Sequence, residues 1–262
     1  MQIVVCIKQV LDPEMPYSAF KIDADGKRAI PPQGTPPVIS PYDENALEAA
    51  LRVKDAHGAT VIALSLGSKL ARSILNKPLA AGVDELVLIE DPAAGDLDSF
   101  ASASILAAAI RKTGGADVVF TGRQAADWDA GIAGCAIAEE LKMPCITVAR
   151  KVSVQNGRVR VERLLSDGFE VVEAPLPCVI TVDSDLGELR QVTMQGLISS
   201  KRKPVSAWKL SDLKLESPPP PRCELLELYI PKRKRVCEII SGENAEDTAV
   251  KLADRLFEES LL

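Results

Sequence analysis

The residues best equipped for binding chemistry fall in one stretch, Gly122-Arg123-Gln124-Ala125-Ala126-Asp127-Trp128-Asp129-Ala130-Gly131, continued by Ile132, Ala133 and Gly134. Gly122, Gly131 and Gly134 allow a ligand to approach the backbone closely. Arg123 adds a forked charged donor for phosphate, and a helix beginning just past the loop presents free N–H groups to an anion. Two further short segments belong with it, Lys8-Gln9-Val10-Leu11-Asp12-Pro13 and Leu66-Gly67-Ser68, because each follows an apolar run that reads as a strand. The residues of this loop suit either a phosphate contact or a purely structural turn, and a standard dinucleotide or P-loop site fails, since there is no G-x-G-x-x-G after the first strand and no G-x-x-x-x-G-K-[ST] in the sequence. The single histidine, His57, precedes Gly58 at the apparent end of a helix, which suits a C-terminal capping role better than catalysis. The six cysteines, Cys6, Cys135, Cys145, Cys178, Cys223 and Cys237, contain no C-x-x-C pair, and several sit in apolar segments as small hydrophobes. A reduced compartment without a disulfide framework is expected.

Composition narrows the partners. The chain has 262 residues, 47% hydrophobic and 26% charged, enough apolar material for a large core. A net charge of −6 and an aromatic content of 4% argue against a nucleic-acid surface built from basic stripes and stacking platforms, and leave mononucleotides open. No apolar run approaches the roughly 20 residues that span a bilayer, and the N-terminal residues pass directly into a strand-like run with no basic leader. A cytoplasmic protein without membrane insertion is expected.

The elements that must position the loops alternate in period. Residues 1 to about 150 interleave short β-branched runs at Ile3–Ile7, Thr60–Ser65, Glu85–Ile89, Asp117–Thr121 and Cys145–Val148 with helical patterns over 43–57, 69–81, 98–113 and 130–141. That order predicts an α/β fold, a Rossmann-like parallel sheet with helices on both faces. In such sheets ligands bind beyond the carboxyl ends of the strands, where the three loops fall. From Lys151 to Glu162 apolar and polar residues alternate on both sides of Asn156-Gly157, which predicts an added β-hairpin. Gly168 suits another turn, and Pro177–Val182 reads as a buried strand. The remainder changes character: Lys201-Arg202-Lys203-Pro204, the polyproline run from Pro218 to Pro221 and the basic cluster from Lys232 to Arg235 describe an extended C-terminal arm. It ends in an amphipathic helix from about 243 to 260, with Val250, Leu252, Ala253, Leu256 and Phe257 available for one face. The boundaries expected are 1–203 for the nucleotide-binding domain and 204–262 for the arm and helix.

Four segments together resemble a known family: Val5-Cys6-Ile7-Lys8-Gln9-Val10-Leu11-Asp12-Pro13, Ser40-Pro41-Tyr42-Asp43-Glu44-Asn45-Ala46, Gly122 to Asp129, and Arg160-Val161-Glu162-Arg163 through Asp167-Gly168-Phe169-Glu170 to Leu176-Pro177. They are similar, in register across essentially the whole chain, to the β subunit of electron transfer flavoproteins, the FixA-like family. The resemblance implies a heterodimer whose larger α subunit holds the electron-carrying FAD. The β subunit would bind a structural AMP or, in electron-bifurcating members, a second FAD, and its arm and final helix would pack on the α subunit. Nucleotide positions carried over in this way are Cys6, Lys8, Ser40, Pro41, Tyr42, Asp43, Leu66, Gly67, Gly122, Arg123, Gln124, Asp127, Asp129, Ala130, Gly131, Ile132, Ala133 and Gly134. A docking loop for acyl-CoA dehydrogenase-type flavoproteins would fall on Arg190, Thr193, Met194 and Leu197, with Met194 where the family usually has Leu. An unbranched thioether suits an anchor that must adapt to several pockets. The resemblance implies no catalytic residue and no metal.

Two departures matter. Many bifurcating members carry Asp-Gly-Asp-Thr-Ala-Gln-Val-Gly-Pro where this chain has Asp127-Trp128-Asp129-Ala130-Gly131-Ile132-Ala133-Gly134-Cys135, so the Thr and Gln that would bond phosphate are missing. The usual non-bifurcating version with Asn is not followed either. AMP is therefore expected over FAD in this chain. Leu164 also replaces an acidic residue that follows Arg163 in the family. The expected function is an electron carrier passing electrons from dehydrogenases to a quinone-linked oxidoreductase, with no bond-making on substrate. The alternative is a bifurcating oxidoreductase subunit using its own FAD and NADH. A stand-alone nucleotide-binding module of the universal stress kind fits poorly with the arm and docking loop.

Overall fold

A computed structural model describes residues 1–215, 219–231 and 237–261. Pro218 at the head of the polyproline run and the cluster from Lys232 to Arg235 lie outside the described residues.

The apolar run Gln2–Ile7 forms β1, buried from Ile3 onward, as expected for a strand covered on both faces. An excursion follows with short segments β2 (Gln9–Val10), β3 (Lys21–Ile22), β4 (Ala29–Ile30) and β5 (Val38–Ile39), which pair antiparallel as β2 with β5 and β3 with β4. Helix α1 (Pro41–His57) starts with Pro in its first turn, where the missing N–H is no loss, and ends at Gly58 in the left-handed conformation, whose N–H bonds the Lys54 carbonyl. Next come β6 (Thr60–Gly67), α2 (Arg72–Leu75) and α3 (Lys77–Ala81). The periodicity predicts one helix over 69–81; Pro78 has no N–H and crowds the carbonyl four residues back, which divides it in two.

The chain continues through β7 (Glu85–Glu90), α4 (Ser99–Lys112), β8 (Val118–Gly122) and α5 (Ala133–Leu141). Helix α5 begins later than the expected residue 130 because Asp129 and Gly131 adopt positive φ, 49° and 64°. Strand β9 (Cys145–Gln155) runs straight into the hairpin with β10 (Arg158–Leu165), merging two segments that read as separate. A β-bulge is its device: register shifts against the neighbouring strand near Val148, which has φ 58°. Strand β11 (Gly168–Pro175) adds a third antiparallel member beyond the turn at Gly168, and β12 (Cys178–Val182) returns to the core. Helix α6 (Met194–Ser200) and strand β13 (Val205–Trp208) complete the first unit.

The resulting nine-stranded sheet has the order β11-β10-β9-β12-β8-β1-β6-β7-β13. Strands from β9 to β13 in that order pair in parallel, and only the β9-β10-β11 corner is antiparallel. One face packs Leu47, Leu51 and Leu79 of α1 and α3 against Val5, Ala63 and Phe120; the other packs Ala109 and Ile137 of α4 and α5 against Val4, Leu64 and Val119. This is the Rossmann-like α/β fold with an added hairpin.

The sheet extends past the expected boundary at 203, since β13 pairs with β7 and Leu210 and Leu213 are buried. The cause is Lys203. Instead of standing in solvent with its basic neighbours, its ammonium donates to the carbonyls of Leu79 and Val83 at 2.8 and 2.6 Å, steering the chain back to the sheet edge. The first compact unit accordingly runs Met1–Glu227 and the second Leu228–Leu262. Within the second, α7 (Ala245–Glu258) is capped by Asn244, whose side chain accepts the Asp247 N–H, and Val250, Leu252 and Phe257 are exposed. Among the described residues no helix is long and apolar enough to cross a membrane.

Candidate functional site

Strand β1 lies between β8 and β6, so the connections leaving β1 and β8 diverge to opposite faces of the sheet. Such a divergence opens a crevice at the carboxyl ends of the strands. Asp43, in the first turn of α1, closes the floor of that crevice. Its carboxylate accepts the backbone N–H of Lys8 at 2.8 Å and of Gly122 at 3.0 Å, joining the ends of β1 and β8. A Cβ on Gly122 would stand 2.7 Å from both the Asp43 carboxylate and the Tyr42 Cβ, so only glycine lets β8 end this close to α1. Burial pushes the Asp43 carboxyl up to about 7, against the opposing pull of the Lys8 and Gly122 N–H groups and the Lys8 charge. Burial, reinforced by the Asp43 charge, also raises the Cys6 thiol, which stays protonated and makes no thiolate chemistry at the site.

The loop after β8 is held from several directions. Ser40 precedes α1 but its hydroxyl does not cap that helix; it accepts the Ala126 N–H at 3.3 Å. The Lys8 ammonium meets Asp127 at 2.7 Å. Gln124 donates to Asp129 at 2.8 Å, across the turn that ends at Gly131. Arg123 donates to Asp183 at 2.8 Å at the end of β12 and lies 5.3 Å from the centre of the Tyr42 ring. Asp183 is buried, which opposes ionisation, yet the Arg123 guanidinium, the Asp185 N–H and the Ser184 hydroxyl hold its carboxyl below the usual range. Helix α5 follows with no side-chain cap at Ile132, leaving its first N–H groups to bond a ligand or solvent. Gly134 seats this turn tightly on the sheet, where a Cβ would lie 2.5 Å from Thr181 and 2.6 Å from Thr121.

Charge at the crevice is decided by these pairs. Asp43, Asp127, Asp129 and Asp183 face Lys8 and Arg123, and both cations already hold a carboxylate. A bound phosphate would rest mainly on the loop and α5 N–H groups, or draw Lys8 or Arg123 away from its partner.

Of the expected nucleotide positions, Lys8, Asp43, Gly122 and Asp127 are joined by hydrogen bonds and an ion pair, Ser40 holds the same loop at Ala126, Gln124 and Asp129 pair within it, Arg123 leaves it for Asp183 with Tyr42 beside it, and Pro41, Ala130, Gly131, Ile132 and Ala133 are the flanking residues. Leu66 and Gly67 end β6 at the same edge of the sheet, but Gly67 is engaged with Asp91, whose N–H it accepts at 3.2 Å. Asp183 was not anticipated; its only sequence signal is an acid directly after a buried strand. Trp128, in the same loop, is 56% exposed between two paired aspartates.

The docking positions divide into two kinds. Arg190 bonds Glu48 at 3.0 Å and Asp55 at 2.8 Å, and Thr193 accepts the Gly196 N–H at 3.0 Å as the cap of α6. Arg190 thus fastens the segment before α6 to α1, and Thr193 caps α6 itself. Met194 and Leu197 project from it, 74% and 46% exposed, and Ile198 at 60% extends the same apolar surface. Solvent exposure rules out a core-facing role for these three.

The chain is similar to known proteins over most of its length. A family profile described as electron transfer flavoprotein domain matches residues 30–213. The caffeyl-CoA reductase-Etf complex subunit CarD of Acetobacterium woodii is 34% identical over 270 residues, covering 100% of both chains. The electron transfer flavoprotein subunit beta of Clostridium acetobutylicum is 38% identical over 82% of this chain and 81% of its own. Protein FixA of Azorhizobium caulinodans is 37% identical over 82% of this chain and 78% of its own.

Proposed function

The chain belongs to the electron transfer flavoprotein β-subunit family, and from that premise we propose that it pairs with an FAD-bearing α subunit, binds a structural AMP, and works in the cytoplasm as an electron carrier between acyl-CoA dehydrogenase-type flavoproteins and a quinone-linked oxidoreductase. The observation that carries the AMP assignment is the charge pairing in the crevice. With Lys8 held by Asp127 and Arg123 by Asp183, the loop offers chiefly backbone N–H groups, which suit one phosphate and leave a pyrophosphate short of counter-charge.

The FAD of the α subunit would supply the redox chemistry. This chain's residues bind, brace and dock. Asp43 and Gly122 fix the floor on which an adenosine group sits, Ser40 holds Ala126 so that the loop keeps its shape, and the start of α5 receives the phosphate. Met194, Leu197 and Ile198 offer an apolar contact to a dehydrogenase, on a helix whose preceding segment Arg190 fastens to Glu48 of α1. The second unit, with its amphipathic α7, is the segment we assign to the α-subunit contact.

A second reading has its own support. The chain matches from end to end a relative whose name places it in a reductase-Etf complex, which favours a subunit binding a second FAD and serving NADH oxidation. Purifying the αβ complex, releasing its nucleotides by heat and counting them separates the two. One FAD with one AMP supports the carrier; two FAD without AMP supports the other reading.

A further inference from the structure

We propose that Glu48 is a positioning residue for electron transfer: through Arg190 it sets where α6 begins and so holds Met194, Leu197 and Ile198 ready for an incoming dehydrogenase, an inference that rests on the docking role proposed for α6. The segment between β12 and α6 has no strand or α-helix of its own; after the short turn Ser184–Leu186 it runs irregularly to Thr193. Its course is set by one face of α1, along which Asn45, Glu48, Arg52 and Asp55 recur at helical spacing. Arg52 donates to the Leu186 carbonyl at 2.9 Å and Asn45 to the Gly187 carbonyl at 2.7 Å. Arg190 donates to Asp55 at 2.8 Å. Glu48 is buried among them and gathers the rest. One of its oxygens accepts the Arg190 backbone N–H and the Arg190 Nε, both at 3.0 Å; the other accepts Arg190 Nη2 at 3.2 Å and Arg52 Nε at 3.0 Å.

These bonds fix the backbone at Arg190 as well as its side chain. A guanidinium fork on a buried carboxylate is a charge-assisted pair with little freedom of direction. Arg190 stands three residues before Thr193, the cap of α6, so the start of the helix follows from it. Gly196 seats the inner side of α6 against the Ala80 carbonyl of α3, where a Cβ has no room. Met194, Leu197 and Ile198, at positions i, i+3 and i+4, then share the opposite side and are exposed. Leu189 and Val192 also pack against the core, but apolar contact is non-directional, and the orientation of the segment falls to the Glu48 bonds. An apolar anchor held in place before its partner arrives saves the cost of ordering it on contact. Loss of Glu48 therefore weakens capture of the electron donor and leaves the transfer step within the docked complex as it was.

The test uses the αβ complex and a short-chain acyl-CoA dehydrogenase reduced with its acyl-CoA. Glu48→Gln keeps the shape of the side chain and turns an amide donor toward Arg190. We expect the KM for the dehydrogenase to rise roughly 5- to 10-fold with kcat unchanged, and hydrogen exchange to quicken across α6 while the spectrum of the α-bound flavin stays as in the wild type. Arg190→Lys, at a partly exposed side chain, keeps the charge without the fork and should behave alike, which covers a Glu48→Gln protein that fails to fold. Glu48→Gln combined with Met194→Ala should raise KM by less than the product of the two single effects, because both act through one surface. An unchanged KM in Glu48→Gln and Arg190→Lys beside a raised KM in Met194→Ala would overturn the positioning role and leave the docking reading standing. Wild-type exchange across α6, a fall in kcat without a rise in KM, or single effects that multiply would overturn it as well. If no variant, Met194→Ala included, alters transfer, the docking reading fails and this proposal with it.

Discussion

The carboxylate of Asp43 accepts the backbone N–H of Gly122 at 3.0 Å, which fastens the first turn of α1 to the end of β8 where the sheet's connections part. That bond and the pairs around it can be altered one at a time.

Gly122→Ala places a methyl group 2.7 Å from the Tyr42 Cβ and 2.8 Å from its backbone carbon, neither of which can turn aside. The variant should lose about 1–3 kcal/mol of stability, as overpacking of a close contact typically does. Urea unfolding of the purified chain measures it. A loss below a few tenths of a kcal/mol would show that α1 and β8 are not held this closely.

Asp43 gives stability a characteristic pH slope. Its folded value of about 7 lies above the ordinary carboxylate value, so between the two the native state keeps a proton that the unfolded chain releases. The contribution of this group is full below about pH 4 and is lost as the pH rises toward 7. In Asp43→Asn, which cannot ionise, the slope between those limits should flatten in unfolding curves taken across the range. An unchanged slope assigns it to other groups.

Arg123 and Asp183 predict the opposite sign. Asp183 is held below the usual range, so its contribution is present above the ordinary carboxylate value and falls away as the pH drops through and below it. Arg123→Ala leaves a buried carboxylate without its guanidinium and should cost about 1–3 kcal/mol near neutrality, discounted from the fully buried case because Arg123 is partly exposed. As the pH falls below the ordinary carboxylate range and Asp183 takes up its proton in the folded state, the difference between variant and wild type should shrink toward zero. A difference that persists in acid would mean that the lost packing on Tyr42, rather than the charge pair, dominates.

Much of this was legible in the sequence, for reasons that differ by residue. The β-branched runs and their spacing dictated the parallel core, and the close glycines at 122 and 134 marked the loop, because both depend on local residue type. The register-dependent features were not visible. β9 runs through Val148 only because the bulge there is paired to β12, and β13 joins the sheet only because Lys203 finds carbonyls of α3 and the turn after it. Asp183 was missed for the same reason: its partner is sixty positions away, and only the fold brings Arg123 to it.

The docking assignment rests on exposed apolar side chains carried by a braced helix. Met194→Ala removes the most exposed of them and should slow electron transfer from an acyl-CoA dehydrogenase-type donor by roughly 5–30-fold, the effect of losing about 1–2 kcal/mol at an anchor. Thermal stability and the spectrum of the α-bound flavin should be unchanged. Transfer at the wild-type rate would remove Met194 from the docking surface and leave Leu197 and Ile198 to be tested in the same way.

The nucleotide loop turns on Gly131, whose φ of 64° is costly for any residue with a Cβ. Gly131→Val should distort the turn between Asp129 and α5 and lower nucleotide occupancy of the αβ complex several-fold, measured after heat release. Full occupancy would place the nucleotide elsewhere on the chain.

The most direct measurement of the central claim is the nucleotide content of the purified wild-type αβ complex. The charge pairing of Lys8 with Asp127 and Arg123 with Asp183 predicts one AMP and one FAD per complex, with AMP retention weakened in Lys8→Ala. Two FAD and no AMP would contradict it.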